Sequence, residues 1–508
     1  MKKIKHIISK PLTLIVNQCL TTGIFPDIFK VAKIIPIYKK DERKLLTNYR
    51  PISLLPTMSK IIERVMHNQL YNYLNENKLL AEQQYGFRKG HSTELAALQL
   101  SDYIVTEMDK GNIPIAIFLD LSKAFDTLNH DILLEKIRYY GVKDTAFTLV
   151  KNYLKDRQQY VKFGSEQSNL TPISTGIPQG SILGPLFFSI YINDLPTACN
   201  SFRSLMYADD TVLYAHIDDF NKDNLDCEIS HELEHISHWL TANKLSLNVK
   251  KSKFMLFHKL KQLPSLNLKI NNVMIDRVYH FNYLGIIFDE HLSWENHINM
   301  ISLKISKITG IMNRLKFVYP QRILLTLYDS LLMSHFCYGI LLWGNCAQRI
   351  VQLQKRAIRT ISFSKRLDHT EPLFKTLNLL KLEDIYELRI YKFYHKLMND
   401  NLPPYFDEYK ILIEPITRRY DTRCTILETY LVRNEYAKCC LKYKLINLLN
   451  GARENGNILT ENNNILQEII MNANLLPYAK FSKYISKYII SLYRYECTVH
   501  NCFVCSST

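Results

Sequence analysis

The spacing of apolar residues in this chain changes character as it proceeds, and the changes mark its elements. "MSKIIERVMHNQLYNYLNENKLL" (58–80) spaces its apolar positions as an amphipathic helix does, predicting Ile61, Ile62, Val65, Leu70 and Leu74 inward. "IPIAIFLDLSKAF" (113–125) opens, after Gly111 and Asn112, as a short and nearly continuous apolar run. That is the pattern of a strand buried on both faces. The run stops at Asp120, which puts this carboxylate where the strand meets its turn. "LMY", "ADD" and "TVLYAH" (205–216) read as a β-hairpin with an acidic pair at its tip. "KFMLFH" and "YLGIIFD" supply two further short strands. Strands and helices alternate without the repeat of a doubly wound sheet, so the expected class is α+β.

From about residue 291 the pattern is helical. "QRIVQLQKRAIRTISF" (348–363) places Ile350, Leu353, Ala357 and Ile361 on one face and Lys355, Arg356 and Arg359 on the other. The Asn-rich stretch 450–464 predicts a loop between helical parts. No internal repeat is present.

Length and charge narrow this picture. A chain of 508 residues exceeds what one core serves, so roughly three or four structural units are expected. Lys and Arg (64) outnumber Asp and Glu (48), a formal net charge of +16 that suits a polyanionic partner, nucleic acid or an acidic membrane surface. The excess is concentrated: residues 1–60 hold 12 Lys and Arg against 3 acids, and residues 301–366 hold 11 against 1. Two basic regions flanking a small acidic focus suggest a gripping surface around a metal site. No apolar run reaches the roughly 18 residues of a bilayer span. The basic start is broken by Pro11, Asn17 and Gln18 and lacks a cleavage site, so no signal peptide is expected. Eleven scattered cysteines read as reduced thiols in an intracellular compartment.

The acidic focus is Asp209 and Asp210. Two carboxylates about 4 Å apart repel by roughly 4 kcal/mol at an effective dielectric near 20. Standing alone, an acidic pair reads as a solvated turn. Asp120, 89 residues earlier at the end of a buried strand, offers a third hard oxygen ligand, and three converging carboxylates can hold two Mg²⁺ beside phosphates. In "STGIPQGSILGPLFFSIYINDLP" (174–196), Gly176, Gly180 and Gly184 open an apolar helix in a glycine-poor chain, allowing close backbone approach to a ligand. The Gly-Lys-Ser/Thr ending of a phosphate-cradling loop is missing, which excludes that nucleotidase signature.

"FLDLSKAFDTLNH", "GIPQGSILGPLFF" and "YADD", in this order and spacing, resemble the palm motifs of reverse transcriptases. "NYRPISLLPTMSKIIERV", "QYGFRKGHST", "LSLNVKKSKFMLF" and "FNYLGIIFD" extend the match to the enzymes of non-LTR (LINE-type) retrotransposons, jockey-like ones in particular. "YGILLWG", "LQKRAIRTI" and "HTEPLFKTLNLL" resemble the segment that follows the polymerase there, so the similarity covers about residues 20–425.

The resemblance implies a right-hand polymerase: a basic segment at 1–19, fingers and an antiparallel palm sheet within 20–290, a helical thumb at 291–366 and an all-α region at 367–508. It implies an RNA-directed DNA polymerase that extends a DNA primer on template RNA with dNTPs. Asp120, Asp209 and Asp210 would hold two Mg²⁺ (Mn²⁺ as a substitute), with the Leu121 carbonyl as a further ligand. Phe125 would select deoxynucleotides by crowding C2′ of the sugar. Gln179 and Gly180 would line the nascent base pair. Arg50, with Lys39 or Lys40, would grip the triphosphate. Lys251, or else Lys253, would sit near the leaving pyrophosphate, while Asp126 reads as structural.

Nucleic-acid contacts are expected from Arg88, from Tyr283 in the primer-grip-like stretch, and from Lys304, Lys307, Arg314, Lys355, Arg356 and Arg359 in the thumb. No membrane or stable protein partner is expected. Nuclear action after a cytoplasmic RNA-bound stage follows from the resemblance. Met1 falls just upstream of the fingers with no endonuclease before it, so a partial product without its own target cutting is expected. "RRYDTRC" (418–424) fits the family only in part. The tail "CTVHNCFVC" offers Cys497, His500, Cys502 and Cys505 at a spacing poorly suited to zinc, and reads as free thiols. "KFSKYISKYIISLYRY" reads as a packed helix with a solvated basic face. Competing readings are a decayed copy that only binds RNA and DNA, and an RNA-dependent RNA polymerase.

Overall fold

The computed structural model describes residues 5–39, 42–122, 124–220, 224–259, 263–413 and 432–454. "RRYDTRC", the Cys/His tail and the basic helix before it lie outside the described residues, as does Lys40.

The chain begins α1 (Lys5–Thr22), β1 (Val31–Tyr38), β2 (Tyr49–Leu54), α2 (Thr57–Glu76), α3 (Thr93–Lys110) and β3 (Pro114–Asp120). Then come α4 (Ala124–Thr127), α5 (His130–Tyr139), α6 (Asp144–Leu154), β4 (Arg157–Phe163), β5 (Glu166–Gln167) and β6 (Thr171–Ile173). Next are α7 (Gly184–Tyr191), β7 (Arg203–Tyr207), β8 (Asp210–His216), α8 (Leu225–Ala242) and β9 (Lys253–Leu256). Short strands β10 (Lys269–Ile270), β11 (Val273–Met274), β12 (Asp276–Arg277), β13 (His280–Tyr283) and β14 (Ile286–Asp289) follow. The remainder is helical, including α9 (Glu295–Leu315), α10 (Gln321–Leu327), α11 (Met333–Cys337), α12 (Ile340–Trp343) and α13 (Gln348–Ile361). It closes with α14 (Thr370–Leu377), α15 (Leu382–Met398), α16 (Glu408–Ile413) and α17 (Leu441–Glu454). The class is α+β.

Two compact units emerge. The first comprises the chain up to residue 92, residues 115–254 and residues 262–277; the second comprises residues 93–114, 255–261 and the chain from 278 onward.

In the first unit, a five-stranded sheet runs β12-β9-β3-β8-β7. β7 and β8 form an antiparallel hairpin, whereas the short edge pair β12 and β9 is parallel. β3 is central, and Pro114 to Leu119 are all buried, as the continuous apolar run requires. A second sheet orders β2-β1-β4-β5, with β6 also on β4. Helix α5 starts at a true cap: the Asn129 carboxamide oxygen accepts the Asp131 and Ile132 N–H groups, both at 3.1 Å.

Helix α2 departs from its sequence reading. Ile62 and Leu74 are buried, but Ile61, Val65 and Leu70 are only half-buried; Ser59, Glu63 and Met66 complete the inner stripe instead. Polar residues displace apolar ones because Glu63 serves the glycine-rich turn. Its carboxylate accepts from Ser59 Oγ and from Ile182 N–H, both at 2.7 Å. Burial raises its pKa, and the nearby Arg157 guanidinium, itself buried, partly offsets that rise.

In the second unit, β13 and β14 pair as a hairpin whose turn residues Leu284 and Gly285 both have positive φ. α9 packs on α13, whose inner face carries Ile350, Ala357 and Ile361 as expected. Leu353 is only half-buried, and Gln354 is fully buried in its place. Gln354 donates to Tyr328 Oη (2.9 Å) and the Leu380 carbonyl (3.0 Å) and accepts from Leu382 N–H (2.9 Å). The loop expected from residue 450 is corrected in its first part: residues 450–454 continue α17, where Leu445, Ile446 and Leu449 anchor the helix. Residues 455–464 lie outside the described residues.

Glu63→Ala would leave the Ile182 N–H and the buried Ser59 hydroxyl without their acceptor. A loss of about 1–3 kcal/mol in unfolding free energy is expected by urea denaturation.

Candidate active site

The hairpin tip is built from a two-residue turn. Tyr207 pairs with Asp210, leaving Ala208 and Asp209 between the strands. Ala208 takes φ +56, a left-handed conformation that costs an alanine of order 1 kcal/mol or more. The segment after α2 holds it there. Tyr85 N–H donates to the Met206 carbonyl (2.7 Å) and Met206 N–H to the Gln83 carbonyl (2.9 Å). The fully buried Gln84 accepts from Gly86 N–H (2.7 Å) and Ala208 N–H (3.3 Å) through one oxygen. Gly86 is required by proximity: a Cβ there would lie 2.4 Å from the Ala208 nitrogen. The physical work of "QYGF" is therefore to fix the acidic turn. Composition and periodicity carry no signal for Gln84.

Asp120 ends β3, the neighbour of β8 in the sheet. Its backbone is clamped by the chain before β9: Asn248 N–H donates to the Asp120 carbonyl and Ser122 N–H to the Ser246 carbonyl, both at 2.8 Å. Leu121, buried, bridges Leu247.

The three carboxylates feel one another. Desolvation holds Asp209 above the ordinary carboxylate range and Asp120 adds to the rise, while its own backbone N–H, Arg50 and Lys39 oppose it. Desolvation, then Asp209 and Asp120, pushes Asp210 up to about 6, with Lys39 opposing. Water reaches both side chains at the tip, yet the surrounding protein disfavours charge on the other sides.

Cations ring the cluster. Lys251 Nζ lies 3.7 Å from Asp120 Oδ2, whereas Lys253 Nζ is taken up by Asp276 at 2.6 Å and the Lys250 carbonyl at 2.9 Å. The two lysines the sequence left open therefore have different partners here, Asp120 for Lys251 and Asp276 for Lys253. Lys39 and Arg50 come from the β1–β2 hairpin, where Lys39 N–H bonds the Asn48 carbonyl and Arg50 pairs with Ile37.

The glycine-rich turn joins that hairpin to the region after β3. Ser53 N–H donates to the Gln179 carbonyl at 2.8 Å. Gly180 has φ +134, and a Cβ there would fall 2.5 Å from the Ser53 carbonyl oxygen, so no larger residue fits. Gln179 Nε2 donates to Asp126 Oδ1 at 2.8 Å, giving Asp126 the task of aiming Gln179. Phe125 stacks on Phe188 with centroids 4.5 Å apart and meets Phe87 edge-on, which fixes its ring.

Other expected residues are placed differently. Arg88 is half-buried and donates to the Ala81 carbonyl at 2.6 Å, so its guanidinium serves the fold. In the second unit, Tyr283 is buried inside its hairpin against Phe288. Lys304, Lys307, Arg314, Lys355 and Arg356 are exposed, whereas Arg359 bonds the Asp368 carbonyl at 2.8 Å.

Comparison with known proteins follows these motifs. The reverse transcriptase (RNA-dependent DNA polymerase) family model matches residues 37–288. Those residues are a reverse transcriptase domain. The chain is 31% identical over 398 residues to "Probable RNA-directed DNA polymerase from transposon BS" of Drosophila melanogaster, covering 73% of this chain and 43% of that one. It is 28% identical over 395 residues to the RNA-directed DNA polymerase from mobile element jockey of the same fly, covering 73% and 42%. The likeness to jockey-type non-LTR elements is thereby shown, and the chain spans less than half the length of these relatives. Among solved structures, apo telomerase from Candida tropicalis aligns with 72% of this chain and 65% of its own at TM-score 0.41 and 14% identity.

Asp120 and the Asp209–Asp210 turn offer hard oxygen donors from neighbouring strands, and burial disfavours charge on Asp209 and Asp210, a donor set of the kind that suits divalent cations. A pH prediction follows for the metal-free protein. Asp210 titrates at about 6 when folded and near 3.9 when unfolded, so the folded state holds the extra proton between those values. Stability should fall as pH rises through that window and level off above it. Asp210→Asn should stabilise the chain by about 1 kcal/mol above pH 6 after allowance for screening, and change little near pH 4. Urea denaturation with a chelator present measures this.

Proposed function

We propose that this chain is an RNA-directed DNA polymerase that extends a DNA primer 3′-hydroxyl on template RNA with dNTPs. The observation that carries this reading is the convergence of Asp120 with the Asp209–Asp210 turn, faced by Lys39, Arg50 and Lys251. Asp120, Asp209, Asp210 and the Leu121 carbonyl would hold two Mg²⁺. Bound there, the ions supply activation of the primer hydroxyl and neutralisation of charge on the triphosphate.

The chain's own groups supply position. Arg50 and Lys39 offer phosphate contacts from the β1–β2 hairpin, and Lys251 offers a cation for the departing pyrophosphate. Gln179, aimed by Asp126, and Gly180 would line the nascent pair. The fixed Phe125 ring would leave no room for a 2′-hydroxyl. The exposed basic residues of α9 and α13 offer sequence-independent phosphate contacts. In this scheme 20–290 works as fingers and palm and 291–366 as thumb, and action on chromosomal DNA would place the protein in the nucleus.

Primer extension with Mg²⁺, comparing RNA and DNA templates, tests the reading. Asp209→Asn should lower the extension rate by about three orders of magnitude or more. Undetectable extension by the parent, with salt-sensitive RNA binding retained, would leave a binding protein instead.

The sugar gate has its own readout. Phe125→Val should raise rNTP incorporation relative to dNTP by tenfold or more, about 1.4 kcal/mol of lost discrimination. An unchanged ratio would remove Phe125 from that role.

A further inference from the structure

A second cluster of ligating side chains lies in the second unit, apart from the three aspartates. His258 follows β9, and Glu290 and His291 follow β14. Their donor atoms all lie within 4.8 Å of one another. His258 Nε2 is 3.3 Å from one Glu290 oxygen, and His291 Nε2 is 3.8 Å from the other.

The protonation pattern is partly fixed by geometry. His291 Nδ1 lies 2.9 Å from the His258 carbonyl oxygen, which can only accept, so Nδ1 carries the proton. In the neutral ring the lone pair is then on Nε2, turned toward a carboxylate oxygen. A proton on Nε2, a bridging water or a metal ion can each sit between these two acceptors. A backbone carbonyl that fixes the distal nitrogen of an imidazole is also the usual support of a metal-bound histidine.

The frame is rigid. His258 N–H donates to the Glu290 carbonyl at 3.0 Å, and Lys259 Nζ to the His291 carbonyl at 2.6 Å. The Asp289 carboxylate accepts from His291, Ser293 and Trp294 N–H groups at 2.8–3.2 Å. His258 is buried, the Glu290 side chain is 18% exposed and that of His291 48%, so one side stays open to water.

We propose that His258, Glu290 and His291 form a binding site for one borderline transition-metal ion, Zn²⁺ foremost, with water completing the coordination. Two imidazoles and one carboxylate match zinc at ligand distances near 2.0–2.2 Å, and small movements of the side chains close the donors to that radius. The same set suits Mg²⁺ poorly, because magnesium prefers oxygen alone. The bound ion would pin the exit of β9 to the turn between β14 and α9.

The test uses the full chain with Cys497, Cys502 and Cys505 changed to Ser, in excess Mg²⁺, so that neither the tail thiols nor the three aspartates compete. Zn²⁺ is titrated against a chromophoric chelator, and Co²⁺ is followed by its visible absorption. One equivalent should bind and raise the Tm. His291→Ala and Glu290→Gln should each weaken binding by about tenfold or more and abolish the Tm shift. Cys346→Ser and Cys439→Ser should leave the stoichiometry unchanged, since these thiols lie outside the donor set. If the buried His258→Ala fails to fold, the exposed His291→Ala still decides. No saturable binding by the parent, or undiminished binding in both His291→Ala and Glu290→Gln, would overturn the site.

Discussion

Mutual repulsion of three carboxylates is the constraint around which the first unit is arranged. Burial first, and the neighbouring carboxylates second, make charge costly on Asp209 and Asp210, which share this corner of the sheet with Asp120. They are kept together by backbone contacts that involve none of the carboxylate oxygens: the clamp from residues 246–248 on Asp120, and the 83–86 segment on the hairpin turn. Lys39, Arg50 and Lys251 temper the cluster without neutralising it, as the elevated pKa of Asp210 records.

The supports of this pocket share a style. Glu63, Gln84, Asp126 and Ser53 each meet the chain at the glycine-rich turn or the hairpin through one or two directed hydrogen bonds. Three of these bonds reach backbone groups, so the chain's course rather than side-chain packing sets where the reacting groups stand. That explains why glycine recurs at the closest approaches, where a single added carbon would push two backbones apart.

This also accounts for what could be read in advance. β3, its terminal Asp120 and the hairpin with its acidic tip were legible because they rest on local periodicity and on a break in it. The stripe of α2 was misread at Ile61, Val65 and Leu70, because Glu63, with Ser59 one turn before it, is buried to meet Ile182 far along the chain. Gln354 took the inner place expected for Leu353 for the same reason, its amide meeting groups on two other segments. That Lys253 meets Asp276 while Lys251 stands near Asp120 was not legible either, because no local rule foretells the approach of Asp276. Hydrophobic patterning carries the scaffold; buried polar groups with distant partners, such as Gln84 with Ala208, 124 residues on, carry the precision.

The parallel bridge between residues 83–86 and β7 has a kinetic side. Ala208 sits in a conformation it would leave if released, and it is held by hydrogen bonds from a short segment whose Gln84 and Tyr85 are buried. Detachment of that short segment is a sub-global opening, cheaper than unfolding the sheet behind it. Warming would therefore disarm the acidic turn while the core strands stayed protected from solvent exchange, so the lifetime of function and the lifetime of the fold are two separate clocks in this protein.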